Sequence, residues 1–173
     1  MEPVKFAFVG VGNVASALTQ GIVRESKVLN QKPSIQPVLG FDVHTEKVDR
    51  KLVEAIRVAP NCASLLEEDL SSIEANVLRG PVLDGLCPEL RRVIPVEEGR
   101  TPVDIAAALG TAGTEVMVIL LPVGAQKAAE EYARAALAAN VAVVNGMPAR
   151  IAKDSAIAQL AETKGLAILG DDV

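Results

Sequence analysis

The chain has 173 residues, half of them hydrophobic, only four aromatic (three Phe and one Tyr), and a formal net charge of −5. That length holds one domain with a substantial core, and the acidic balance gives nucleic acid or an anionic membrane no basic footprint. No window approaches the roughly 18 uninterrupted apolar residues of a membrane span, Glu2 precedes the first apolar run without a cleavage-type segment, and Cys62, Cys87 and the single His44 are too few and scattered for a zinc site or disulfide framework, so a reducing, cytoplasmic setting is expected.

The apolar mass is Ala, Val, Leu and Ile, which suits parallel strands buried on both faces. Lys5 to Val9 reads as the first such strand. It breaks at Gly10 and Gly12, and a helix restarts from about Asn13 to Lys27, with Val14, Leu18 and Ile22 at helical spacing. Strand, glycine turn and helix is the context of the dinucleotide fingerprint. Gly10 permits the tight turn, Gly12 lets the backbone approach a pyrophosphate, and Ala15 lets helix and strand pack closely. The free N–H groups and positive dipole end of the helix would face the diphosphate.

A polar loop from Asn30 to Gln36 precedes a second strand, Pro37 to Phe41, ending at Asp42. An acidic residue there can accept hydrogen bonds from ribose hydroxyls and repel a 2′-phosphate, which favours NAD over NADP. The alternative is a residue stabilising the N-terminus of the next helix, expected over Lys47 to Ile56. From Asn61 to Gly99 the pattern is irregular. It holds short apolar runs (Val77-Leu78, Val93-Ile94), an acidic cluster at 67–69 expected on a solvated helix face, the turn-rich stretch Arg79 to Gly85, and a solvated Arg91-Arg92 pair. Pro102 is placed to start a helix through Leu109.

The last third alternates clearly. Glu115 to Leu121 is a buried strand, broken at Pro122-Val-Gly124. An alanine-rich helix covers 125–139, a strand covers 141–144 and ends at Asn145-Gly146, a helix covers 155–164 and stops at Gly165, and a final strand, 166–169, ends at Gly170-Asp171-Asp172. The alternation predicts a Rossmann-like, doubly wound parallel sheet spanning 1–173 as one domain. Ligands of such sheets bind at the carboxyl ends of the strands, which collects Gly10 to Val14, Asp42, Leu121-Pro122-Val123, Asn145-Gly146 and Asp171-Asp172. Asn145 can donate and accept, suiting a nicotinamide amide or a substrate oxygen. The paired aspartates could hold a cation or orient a cationic side chain, or form a solvated acidic terminus.

Val9 to Ser16, Arg79 to Gly85, Leu121 to Gly124, Val144 to Pro148, Ile151-Ala152 with Asp154, and Gly170 to Asp172 resemble, in order and over essentially the whole chain, motifs of the myo-inositol-phosphate synthases of the archaeal and actinobacterial type. The resemblance implies conversion of glucose 6-phosphate to inositol 3-phosphate. NAD takes a hydride from C5, an enolisation and intramolecular aldol step close the ring, and the hydride returns. It implies that Gly10, Gly12, Asn13, Val14 and Asp42 hold adenosine and diphosphate, that Leu121, Pro122 and Val123 flank the cofactor, and that Asn145 and Gly146 lie near the nicotinamide. Asp172 would lie at the catalytic centre, where a metal cation of unassigned identity is sometimes placed. A homotetrameric cytoplasmic enzyme of inositol and phospholipid biosynthesis is implied for the complete protein.

The family continues its last motif into lysines that stabilise developing oxyanions, and the first of them would follow Val173, the last residue of this sequence. The stretch alone is therefore expected to be inactive, as the cofactor part of a longer enzyme. Ala125 replaces a common serine, Ala149-Arg150 a more apolar pair, and Lys153 another serine. Two other readings share the same cofactor site: a stand-alone NAD-binding module, and part of an NAD-dependent dehydrogenase with net reduction of NAD.

Overall fold

The computed structural model describes residues 2–171; Asp172, the expected catalytic aspartate, lies outside the described residues. Six parallel strands form one sheet in the order β3-β2-β1-β4-β5-β6. The strands are β1 (Val4–Val9), β2 (Ile35–Asp42), β3 (Asn76–Arg79), β4 (Val116–Ile119), β5 (Ala142–Asn145) and β6 (Ile168–Gly170). The helices are α1 (Asn13–Leu29), α2 (Leu52–Ala55), α3 (Pro88–Arg91), α4 (Ile105–Ala112), α5 (Gln126–Ala138) and α6 (Ser155–Lys164). The Rossmann-like expectation holds, with the reversal of strand order falling between β1 and β4.

Alternation along β1 divides the core. Phe6 and Phe8 face a cluster with Ile22 of α1, Leu52 of α2 and Val77 of β3. Ala7 and Val9 face the opposite cluster with Leu109 of α4, Leu137 of α5 and Ile157 of α6. Burying both faces requires strands that are apolar throughout, as the composition implied.

Several local expectations are corrected. β2 starts inside the stretch read as loop, and Pro37 sits where the pairing with β1 slips between Phe6 and Ala7; proline has no N–H for the ladder, so a bulge accommodates it. Lys47 to Ile56 is not one helix. Turns occupy 45–50 because Lys47 and Val48 point inward, and only the four residues of α2 are helical. Residues 67–69 lie in a loop, where Glu67 pairs with Lys27 at 2.6 Å. Pro102 stays outside α4, whose first turn is capped by Asp104 accepting the Ala107 N–H at 3.0 Å. The carboxylate supplies an acceptor that proline lacks. β4 is shorter than read, ending at Ile119. Arg91 and Arg92 are exposed, as expected.

Candidate functional site

The turn after β1 is built on two glycines with different tasks. Gly10 has φ +88°, and a Cβ there would lie 2.7 Å from the Leu120 carbonyl oxygen, so no side chain fits. Gly12 is extended, and a Cβ at this position would meet nothing within 4 Å, so open space lies before it. As N-cap of α1 it carries no side-chain acceptor. The first N–H groups of a helix have no intrahelical partner, so this helix end is left with donors and a positive dipole end for an anion.

Between the two glycines, the backbone of Val11 is gripped on both sides. Its N–H donates to Asp42 Oδ2 at 2.8 Å. Its carbonyl accepts from Lys47 Nζ at 2.7 Å and from Asn61 Nδ2 at 3.1 Å. Asp42 Oδ1 also accepts the N–H groups of Val43 (2.7 Å) and His44 (2.9 Å). The carboxylate thus ties the end of β2 to the glycine turn. It does not cap a helix, since the next one starts at Leu52. Its two oxygens have about four lone-pair sites, so one remains for an outside donor. The Asn13 side chain faces the segment after Pro60, accepting the N–H groups of Cys62 (2.7 Å) and Ala63 (2.9 Å).

These residues form one wall of a cleft of about 290 Å³ at the reversal point of the sheet. The opposite wall is the loop 81–86. Asp84 in that loop accepts the N–H groups of Lys127 (2.8 Å) and Ala128 (2.9 Å), capping α5 from a distance. Gly85, at φ +82°, approaches Ala125 so closely that a Cβ would sit 2.4 Å from the Ala125 Cβ. Ala125, the N-cap of α5, has no side-chain acceptor, and the Asp84 carboxylate supplies one from outside the helix. Phe41 and Tyr132 both line the cleft, their ring centroids 5.5 Å apart. Burial, with Asp42 nearby, pushes the Tyr132 hydroxyl far above its ordinary pKa. Burial and the Lys47 charge lower the His44 pKa, with Asp42 opposing them.

Of the residues expected from sequence, Gly10, Gly12, Asn13, Asp42, Leu121 and Pro122 line this cleft, whereas Val14 and Val123 are exposed outside it. Asn145 belongs to a second network, while the Gly146 N–H donates to the Ile119 carbonyl at 2.9 Å. The Asn145 Nδ2 donates to the Ala149 carbonyl (2.7 Å) and Asp171 Oδ1 (3.0 Å), and its Oδ1 accepts the Met147 N–H at 3.3 Å. Asp171 also accepts the N–H groups of Ile151 and Lys153, each at 2.8 Å. Burial acts to raise its pKa, but the backbone N–H groups and the Asn145 amide outweigh it and hold the carboxyl below its ordinary range. At Arg150 and Lys153, the two departures noted in the sequence, this network uses the backbone: the Arg150 N–H donates to Gln126 Oε1 at 2.9 Å, and the Lys153 N–H to Asp171. Among the described residues no group of three His, Cys, Asp or Glu gathers to hold a metal ion.

Sequence reasoning missed Lys47, Asn61, Asp84 and Tyr132. Asp84 had a signal, the Asp-Gly pair inside a turn-rich stretch. Lys47 had none, because a charged residue at helical spacing reads as solvated.

No family model matches the chain. It is similar to the inositol-3-phosphate synthase of Corynebacterium glutamicum, 37% identical over 98% of this chain and 50% of the relative. The chain therefore spans about half the length of the curated relatives it matches. Among solved structures, that of Ari2 superposes with TM-score 0.76 at 27% identity, covering 99% of this chain and 55% of the other. An NAD-binding oxidoreductase from Klebsiella pneumoniae (TM-score 0.55, 15% identity, 98% of this chain and 34% of that one) shares the fold.

Proposed function

For a chain homologous to the actinobacterial inositol-3-phosphate synthases over about half their length, we propose that these residues are the NAD-holding part of such a synthase, converting glucose 6-phosphate to inositol 3-phosphate. The observation that carries this reading is the Val11 peptide fixed by Asp42 in front of the uncapped end of α1.

The residues present fit the cofactor. Gly12 leaves room for a diphosphate against the α1 N–H groups. The remaining lone pair of Asp42 accepts a ribose hydroxyl, and its charge disfavours a 2′-phosphate. Leu121, Pro122, Phe41 and Tyr132 give part of the cleft an apolar lining. A dinucleotide held by Gly10, Gly12 and Asp42 would supply reversible hydride transfer with no net oxidation of the substrate. Asn145 and Asp171 shape the neighbouring strand ends, and Asp172 is assigned to the catalytic centre, with a cation as a further component. The complete enzyme is assigned to the cytoplasm and to inositol and phospholipid biosynthesis as a homo-oligomer.

Titration calorimetry of this chain should show NAD binding, with NADP weaker; no binding of either overturns the reading. The full-length gene product given NAD and glucose 6-phosphate should form inositol phosphate without accumulating NADH. Accumulation of NADH would instead indicate a dehydrogenase, and binding without turnover a binding module.

A further inference from the structure

Lys47 is buried to 4% exposure, yet it lines the cleft. Two of the three donors of its ammonium are used, on the Val11 carbonyl (2.7 Å) and on Asn61 Oδ1 (3.0 Å). Among the described residues no carboxylate oxygen lies within 4.0 Å of it, since the ion pairs found involve other residues. The two acidic residues lining the cleft direct their oxygens to backbone N–H groups instead: Asp42 to Val11, Val43 and His44, and Asp84 to Lys127 and Ala128. The only other basic residue in the lining, His44, has its pKa lowered by burial. A buried charge is stable when it is paired. Here the hydrogen-bond partners are neutral oxygens, and the third donor has no acceptor among the described residues; burial lowers the Lys47 pKa, and Asp42, beyond ion-pair distance, opposes this only through space.

The placement of those neutral oxygens matters. By holding the Val11 carbonyl, Lys47 fixes the Val11–Gly12 peptide in one orientation, while Asp42 holds the preceding Gly10–Val11 peptide through the Val11 N–H. Asn61 reinforces this by bonding the same carbonyl and the Ile56 carbonyl at 3.0 Å. Rotation of the Val11–Gly12 peptide would turn its carbonyl toward the anion site, where its partial negative charge would oppose a phosphate.

Building on the dinucleotide reading, we propose that Lys47 is a positioning residue for the diphosphate: it locks the Val11 carbonyl away from the glycine-turn N–H groups, and its charge, which has no carboxylate within ion-pair distance, is balanced by the diphosphate of the bound dinucleotide. The ligand moiety sensed is the diphosphate, not the adenosine.

The test is a ligand ladder of adenosine, AMP, ADP and NAD titrated against wild type, Lys47→Met, Lys47→Arg and Asn61→Ala, with thermal unfolding run on each. In Lys47→Met, affinity for ADP and NAD should fall about tenfold or more, as expected for loss of a charge-assisted contact, while adenosine binds as in wild type. Lys47→Arg should recover part of the loss. Asn61→Ala, which keeps the charge, should show a smaller loss confined to the same two ligands, and it carries the test if Lys47→Met does not fold. Equal losses on adenosine and ADP would reduce Lys47 to a structural role and overturn the proposal, as would unchanged NAD affinity in Lys47→Met. If wild type binds neither ADP nor NAD, the dinucleotide reading itself has failed.

Discussion

The Asp84 carboxylate accepts the Lys127 N–H at 2.8 Å, closing the N-terminus of α5 from a loop 43 positions away in sequence. Residue 125, the N-cap, is an alanine with no side-chain acceptor, so the helix depends on this distant group. The same contact fixes the outer wall of the cleft.

Asp84→Ala should therefore destabilise the fold by about 1 kcal/mol, the usual worth of a helix cap, and loosen the loop 81–86. Ala125→Ser introduced into Asp84→Ala supplies a local acceptor and should restore part of the stability without restoring the wall. Urea unfolding measures the first effect and limited proteolysis of the loop the second. If the single variant matches wild type in both, the cap has no energetic role.

Asp42→Ala removes the acceptor of three backbone N–H groups and the expected ribose partner. NAD affinity should fall about tenfold or more, the preference over NADP should narrow, and the melting temperature should drop. Calorimetry with both dinucleotides, at one salt concentration, checks it. Unchanged NAD affinity would remove Asp42 from the ribose site.

The two glycines of the turn should behave differently. Gly12→Val meets open space at a backbone angle open to any residue, so stability should change by less than about 1 kcal/mol while NAD binding is lost. Gly10→Ala meets the Leu120 carbonyl at positive φ and should destabilise the fold by at least about 1–3 kcal/mol. Tight NAD binding by folded Gly12→Val would refute the fingerprint reading.

Asp171 gives a pH prediction. Its folded pKa lies below the ordinary carboxylate value. The stability it contributes is therefore complete above that ordinary value, about pH 4, and is lost as pH falls through the folded pKa. Asp171→Asn should flatten this acid-side loss and lower stability at neutral pH, because its amide cannot accept from the Ile151 and Lys153 N–H groups with both atoms. Thermal melts across the acid range read both effects. Identical pH profiles for variant and wild type would exclude Asp171 as a contributor.

Gly10, Gly12 and Asp42, which the sequence pattern singles out, line one cleft, whereas Lys47 to Ile56, expected as one helix, is mostly turn. A charged residue at helical spacing gives no sign that it turns inward, and Lys47 does so because the Val11 carbonyl, 36 positions earlier, awaits a donor. Asn145 is the converse case. In the sequence its donor and acceptor suit a nicotinamide amide or a substrate oxygen, and in the structure they bond Ala149, Asp171 and Met147.

What the sequence by itself determined is local. Apolar runs of strand length, helical spacing between them, and glycines where a turn needs positive φ or an open backbone follow from steric and burial rules acting over a few residues, and they suffice for the parallel sheet and its glycine turn. Only the tertiary structure decided which groups meet at that turn. Val11 with Asp42 and Lys47, Asp84 with α5, and Asn145 with Asp171 are each joined by a crossover that brings separate strand ends together. Their hydrogen bonds depend on ångström-scale placement across long stretches of chain, and local pattern carries no record of it.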